Sequence, residues 1–89
     1  QAEAEELIVY PNPFSSKATV NFTPLAEGGY RLSLYDEKGA LVKLLKEGRA
    51  KAGERQVIEV DGSRLAVGVY FIRLEREGAV RSSKLLLNR

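Results

Sequence analysis

The chain has 89 residues, a net charge of +2, and neither cysteine nor histidine. One small domain of this size buries roughly 60–65% of its unfolded surface, and without cysteine no disulfide or thiolate metal site supplements the core. The absence of histidine removes the commonest general base and the commonest transition-metal ligand. The carboxylates form no evident pair and no apolar run approaches the roughly 18 residues of a membrane span, so no catalytic, cofactor, metal or small-molecule site and no membrane span is expected.

Charge is unevenly placed. Glu3, Glu5 and Glu6 make the amino end acidic. Lys38, Lys43, Lys46, Arg49, Lys51 and Arg55 face only Glu47 and Glu54 within their stretch, and Arg73, Arg76, Arg81, Lys84 and Arg89 face only Glu75 and Glu77. Nucleic-acid binding interleaves such residues with exposed aromatics. Here the aromatics stand at core-type positions, so the basic residues read as a solvated face and no nucleic-acid partner is expected. No signal peptide is visible, so export would rely on a signal carried by a longer precursor.

Residues 1–6 read as the end of a linker from an upstream domain, and residues 7–89 as the folded domain. A short apolar strand at 7–10 ends in Tyr10-Pro11-Asn12-Pro13-Phe14. Each proline fixes its own φ and holds the residue before it extended, which predicts a rigid, extended corner with Tyr10 and Phe14 plugging the core on either side. A second strand at 18–23 directs Val20 and Phe22 to one face. Asn21-Phe22-Thr23 matches a glycosylation pattern, which its mid-strand position makes accidental.

After a loop with Gly28 and Gly29, a third strand at 30–35 alternates Tyr30, Leu32 and Leu34 against Arg31, Ser33 and Tyr35. Asp36-Glu37-Lys38-Gly39 is a hairpin turn, Asp36 capping backbone amides and Gly39 closing it. A fourth strand at 40–45 has a less regular period and is followed by a polar loop at 47–53. The fifth strand, 54–60, buries Gln56, Ile58 and Val60, and a tight turn at 61–65 drops Leu65 into the core.

The last two strands carry the clearest signal. Tyr70, Ile72 and Leu74 alternate with Phe71, Arg73 and Glu75, the period of a strand with one buried side. Gly68 opens this strand and Gly78 turns the chain into its antiparallel partner at 80–87. Seven short strands separated by turn signals predict an all-β fold, an immunoglobulin-like antiparallel β-sandwich.

The sequence resembles a known family at several places: Tyr10-Pro11-Asn12-Pro13-Phe14, then Leu34-Tyr35-Asp36 with Gly39 and Val42, then Leu65-Ala66-Val67-Gly68-Val69-Tyr70-Phe71, then Lys84-Leu85-Leu86-Leu87. In this order they resemble the type A carboxyl-terminal sorting domain of the type IX secretion system of Bacteroidetes-type bacteria. The resemblance implies a sorting signal without catalysis or cofactor, which directs an upstream cargo from the periplasm through the outer-membrane translocon to the cell surface or medium. It also implies removal by a sortase-like peptidase, at a place corresponding to residues 1–6 or upstream of them. Gly68 is carried over as the residue permitting a turn, and Tyr70 as one that fills the core while its hydroxyl reaches the rim. Lys84, Leu85, Leu86, Leu87, Asn88 and Arg89 are the residues expected to touch the translocon, through an edge strand whose backbone groups are free to pair.

Two other readings compete. An immunoglobulin-like spacer or anchoring module of an extracellular protein, such as the similar part of flagellar hook-capping proteins, would share the Pro-Asn-Pro-Phe and Gly-Val-Tyr patterns without sorting anything. A carbohydrate-binding module would use Tyr35 and Phe71 as an exposed platform.

Overall fold

The computed structural model describes residues 7–76 and 78–88. The expected linker, residues 1–6, and the expected translocon contact Arg89 lie outside the described residues. Seven strands follow in order: β1 (Leu7–Tyr10), β2 (Lys17–Phe22), β3 (Gly28–Asp36), β4 (Leu41–Ala50), β5 (Gln56–Asp61), β6 (Gly68–Arg76) and β7 (Ala79–Leu87). They form a three-stranded sheet, β1-β2-β5, and a four-stranded sheet, β4-β3-β6-β7. Every strand pair is antiparallel. This is an immunoglobulin-like sandwich in which β4 sits beside β3 rather than joining the sheet of β1, β2 and β5, the place the fourth strand takes in constant-type immunoglobulin domains.

The core follows from period-two alternation on both sheets. Ala18, Val20, Phe22, Ile58 and Val60 come from the three-stranded sheet, and Tyr30, Leu32, Leu34, Tyr70, Ile72, Leu74, Leu85 and Leu87 from the four-stranded sheet. Phe22 and Tyr30 meet across the gap edge to face, with ring centroids 5.2 Å apart. Such a pair adds about 0.5–1.5 kcal/mol to simple burial.

Several local expectations change, Gly28 and Gly29 opening β3 instead of lying in a loop and Gln56 being only half-buried. The region 47–50, expected as loop, continues β4 to Ala50. Leu41, Val42 and Leu44 are exposed on β4, and only Leu45 and Ala50 of its apolar residues pack inward. β4 is one of the two edge strands of its sheet: its pairing with β3 breaks register at Leu32/Ser33 and Leu34/Tyr35, and among the described residues no strand pairs along its other side. Tyr10 is half exposed whereas Phe14 is buried, so a single aromatic plugs the core at this corner. Ser33 is buried at 2% exposure although it points away from the core, because Leu44 and Arg73 flank it in register.

The Asp36 turn matches its expected chemistry, and the turn after β5 shows a similar cap that was not expected. Asp36 Oδ1 accepts from the amides of Lys38 and Ala40, each at 2.9 Å, and Gly39 takes φ of 86°, open to glycine and strained for a side chain. At the turn after β5, the Ser63 amide donates to Asp61 Oδ1 at 2.9 Å. That bond, with the Ser63 side chain, holds the Asp61 carboxyl below its ordinary 3.8. A depressed carboxyl stabilises the fold above its unfolded value, and that contribution is lost as pH falls through the lower folded value. Asp61→Asn should therefore flatten the acid limb of a stability-against-pH curve below about pH 4 and leave the neutral region's shape unchanged; an unaltered acid limb, measured by urea unfolding at each pH, would show that this turn has no linkage.

Candidate functional site: the terminal strand and its strap

β7 is an edge strand, and among the seven named strands its neighbour is β6. The register Tyr70↔Leu85, Phe71↔Lys84 and Val69↔Leu86 is unbroken; from Ser83 to Leu87 successive side chains alternate between core and surface, whereas those of residues 79–82 are all exposed. Leu85 and Leu87 are 0% and 1% exposed, whereas Lys84, Leu86 and Asn88 are exposed. Of the expected contact residues, these three can meet a partner of the folded domain, and the two buried leucines hold the strand in place.

The outer edge of this strand is partly covered. After β1 the chain leaves the three-stranded sheet through Pro11, Asn12 and Pro13, with cis peptide bonds before both prolines, and reaches Phe14, which forms a parallel bridge with Leu87. The Phe14 amide donates to Leu86 O, and the Asn88 amide donates to Phe14 O, both at 2.8 Å. One rung earlier the Asn12 side chain does the same work: Nδ2 donates to Lys84 O at 2.8 Å, and the Leu86 amide donates to Oδ1 at 3.0 Å. Only this orientation of the carboxamide satisfies both partners. The expectation of a free terminal edge is therefore corrected: between Lys84 and Asn88 the outward groups belong to this strap, because a peptide corner placed beside an edge strand satisfies donors and acceptors that would otherwise face solvent.

The strap is seated by a glycine that sequence reading passed over. A Cβ on Gly62 would stand 2.6 Å from Phe14 Cε2 and 3.3 Å from Leu87 Cδ1, so the absent side chain makes room for the ring. No local signal in Asp61-Gly62-Ser63 distinguishes this role from an ordinary turn glycine. Gly68, at φ 157°, would meet nothing with a Cβ, so its constraint lies in the backbone. Tyr70 is buried, and its hydroxyl donates to Ala66 O at 2.6 Å. Tyr70→Phe should lower stability by about 1 kcal/mol, the net value of one such bond, read as a shifted urea midpoint with unchanged slope.

The outer face of the four-stranded sheet carries a shallow groove of about 350 Å³ lined by residues that include Tyr35, Phe71, Arg73, Val80 and Ser82. The Arg73 guanidinium lies 5.5 Å from the Tyr35 ring centroid, so a cation occupies the ring a sugar would stack on. The glycosylation pattern fares no better, since Asn21 is buried on β2. Among the described residues no group of three or more metal-ligating side chains is assembled, and no helix is long and apolar enough to cross a membrane.

The most distinctive surface of this sandwich is a strapped edge strand with a row of exposed side chains along it. The chain matches the family of secretion system C-terminal sorting domains over residues 8–88 and belongs to it; it is a type IX sorting domain, a sorting-signal family rather than an enzyme family, and the protein carrying it is secreted or held at the cell surface. Among solved structures it is similar to dimeric latent PorU from Porphyromonas gingivalis, at TM-score 0.72 and 23% identity, covering 93% of this chain and 9% of that one. It is also similar to CopC from Methylosinus trichosporium OB3b, at TM-score 0.51 and 20% identity, covering 92% and 89% of the two chains. At these identities both likenesses concern the fold. No curated protein sequence matches.

Proposed function

We propose that this domain carries an upstream cargo out of the periplasm by presenting β7 to the type IX outer-membrane translocon, and that a sortase-like peptidase then removes it by cutting within or before residues 1–6. The observation that carries the reading is the family match over residues 8–88. The row formed by Lys84 and Leu86 on β7 and Asn88 just beyond it is the address surface: basic, apolar and polar side chains exposed in succession; Arg89, the last residue of the expected contact set, is part of the address by sequence. Leu85 and Leu87 act indirectly by fixing that strand to the core. Pro11, Asn12, Pro13 and Phe14 hold its other side, while Asp36, Gly39, Gly68 and Tyr70 shape the turns and core behind it.

The test is an export assay. Residues 1–89 are fused behind a fluorescent reporter bearing a signal peptide, in a host with a working type IX system, beside a version carrying Lys84→Ser, Leu86→Ser and Asn88→Ser together. The wild-type fusion should reach the surface or medium while the variant stays periplasmic and folded. Retention of a folded wild-type fusion overturns the sorting reading, and export of the triple variant removes the address from this row.

A further inference from the structure

We propose that the Asn12 side chain is a latch on the outer edge of β7, and that its release opens an acceptor edge from Val80 to Leu86 on which an extended strand of the translocation partner pairs parallel to β7. This rests on the sorting reading above and specifies how the contact is made. In a parallel ladder, a residue donates to the carbonyl before its partner and accepts from the amide after it. Phe14 does this around Leu87 with its own backbone. Asn12 does it around Leu85 with a side-chain carboxamide, so one rung of the ladder is an imitation of a peptide group.

The two rungs differ in how firmly they are held. Phe14 is 2% exposed and anchored among Gly62 and Leu87. Asn12 is exposed, and its two bonds are exposed with it. Two such bonds are readily exchanged for water, so the Asn12 rung can open while the Phe14 rung stays closed. An aspartate here could accept from Leu86 but could not donate to Lys84 O, which is why a carboxamide suits the position.

Opening the latch completes a contiguous edge. The unbroken register puts the backbone groups of Arg81, Ser83 and Leu85 towards β6 and those of Val80, Ser82, Lys84 and Leu86 outwards. Among the described residues nothing pairs with the outward groups of Val80 and Ser82. Added to the Lys84 carbonyl and Leu86 amide that Asn12 vacates, they form a strand-length acceptor ending against Phe14. The other edges are less suited: β1 is four residues long and β5 six, against nine for β7, and the pairing of β4 is broken by two register shifts. The parallel orientation is the one this edge already accepts from Phe14.

Two measurements test it. In hydrogen exchange on the full chain, the Leu86 amide should exchange at least about tenfold faster than those of Leu85 and Ile72, with a rate insensitive to low urea, the signature of local opening. Exchange of Leu86 at the Ile72 rate with the same urea slope overturns the latch. In the export assay, Ser82→Pro removes an outward amide and leaves the bonds to β6 in place, the position where an edge strand tolerates proline; Ser82→Ala keeps the amide. Ser82→Pro should remain folded and periplasmic while Ser82→Ala is exported. Export of folded Ser82→Pro at the wild-type level overturns strand addition and leaves sorting intact, whereas a retained wild-type fusion overturns sorting itself. If Ser82→Pro fails to fold, Val80→Pro, whose amide also faces outwards, replaces it, and the exchange measurement stands independently.

Discussion

Deletion of residues 85–89 is expected to unfold the domain, not to leave a folded domain without its address. Leu85 and Leu87 are almost wholly buried, and shortening a buried leucine to alanine alone removes about 2–5 kcal/mol. The deletion takes both side chains, their pairing with Gly68 and Tyr70 on β6, and the Leu86 carbonyl and Asn88 amide that hold Phe14. A domain of this length has about 4–13 kcal/mol of total stability, so little or nothing remains. The check is a proton–nitrogen correlation spectrum with a urea titration: collapsed dispersion and no cooperative transition are expected. A dispersed spectrum with a midpoint near wild type would contradict the placement of these leucines. The consequence for function is direct, since export lost on such a truncation reports the fold as much as the signal, and single surface substitutions are needed to separate them.

Phe14→Ala should be the most damaging single substitution in the strap, at about 3–5 kcal/mol, the usual loss for a buried phenylalanine. In a domain this small each kcal/mol lowers the melting temperature by about 4–8 °C. Gly62→Ala should destabilise by about 1–3 kcal/mol, through overpacking, because its Cβ would press on the same ring. The two effects should not add. Once the ring is gone the Gly62 Cβ has space to occupy, so Gly62→Ala in the Phe14→Ala background should be nearly neutral, giving a coupling energy of about 1–3 kcal/mol in a double-mutant cycle. Additive losses would show that Phe14 and Gly62 do not share one packing site.

How far the sequence could be read depended on whether a signal was local. In Tyr70, Ile72 and Leu74 burial repeats every second residue, and a strand covered on one face writes that period directly into its composition. Asp36 and Gly39 were legible for the same reason, since a turn's bonds close within a few residues. Leu41, Val42 and Leu44 left the faces of β4 unassigned, because a leucine carries no mark of whether a second sheet stands opposite it. Tyr10 and Phe14 looked equivalent on either side of the prolines, yet only Phe14 meets Gly62 and Leu87. The family pattern pointed to the terminal strand without showing that two of its leucines are core and that its outer edge is strapped.

Strand number, the faces of the regularly alternating strands and the chemistry of the Asp36 turn were therefore determined by the sequence itself, because each depends on neighbours two to four residues away. Which edges are covered, which apolar residues face water, and how Asn12 completes a ladder were decided only by the tertiary structure. The Asn12 bonds join residues 72 and 74 positions apart, and their existence depends on the two sheets packing so that the Pro-Asn-Pro-Phe corner arrives beside β7. No local propensity encodes such a meeting.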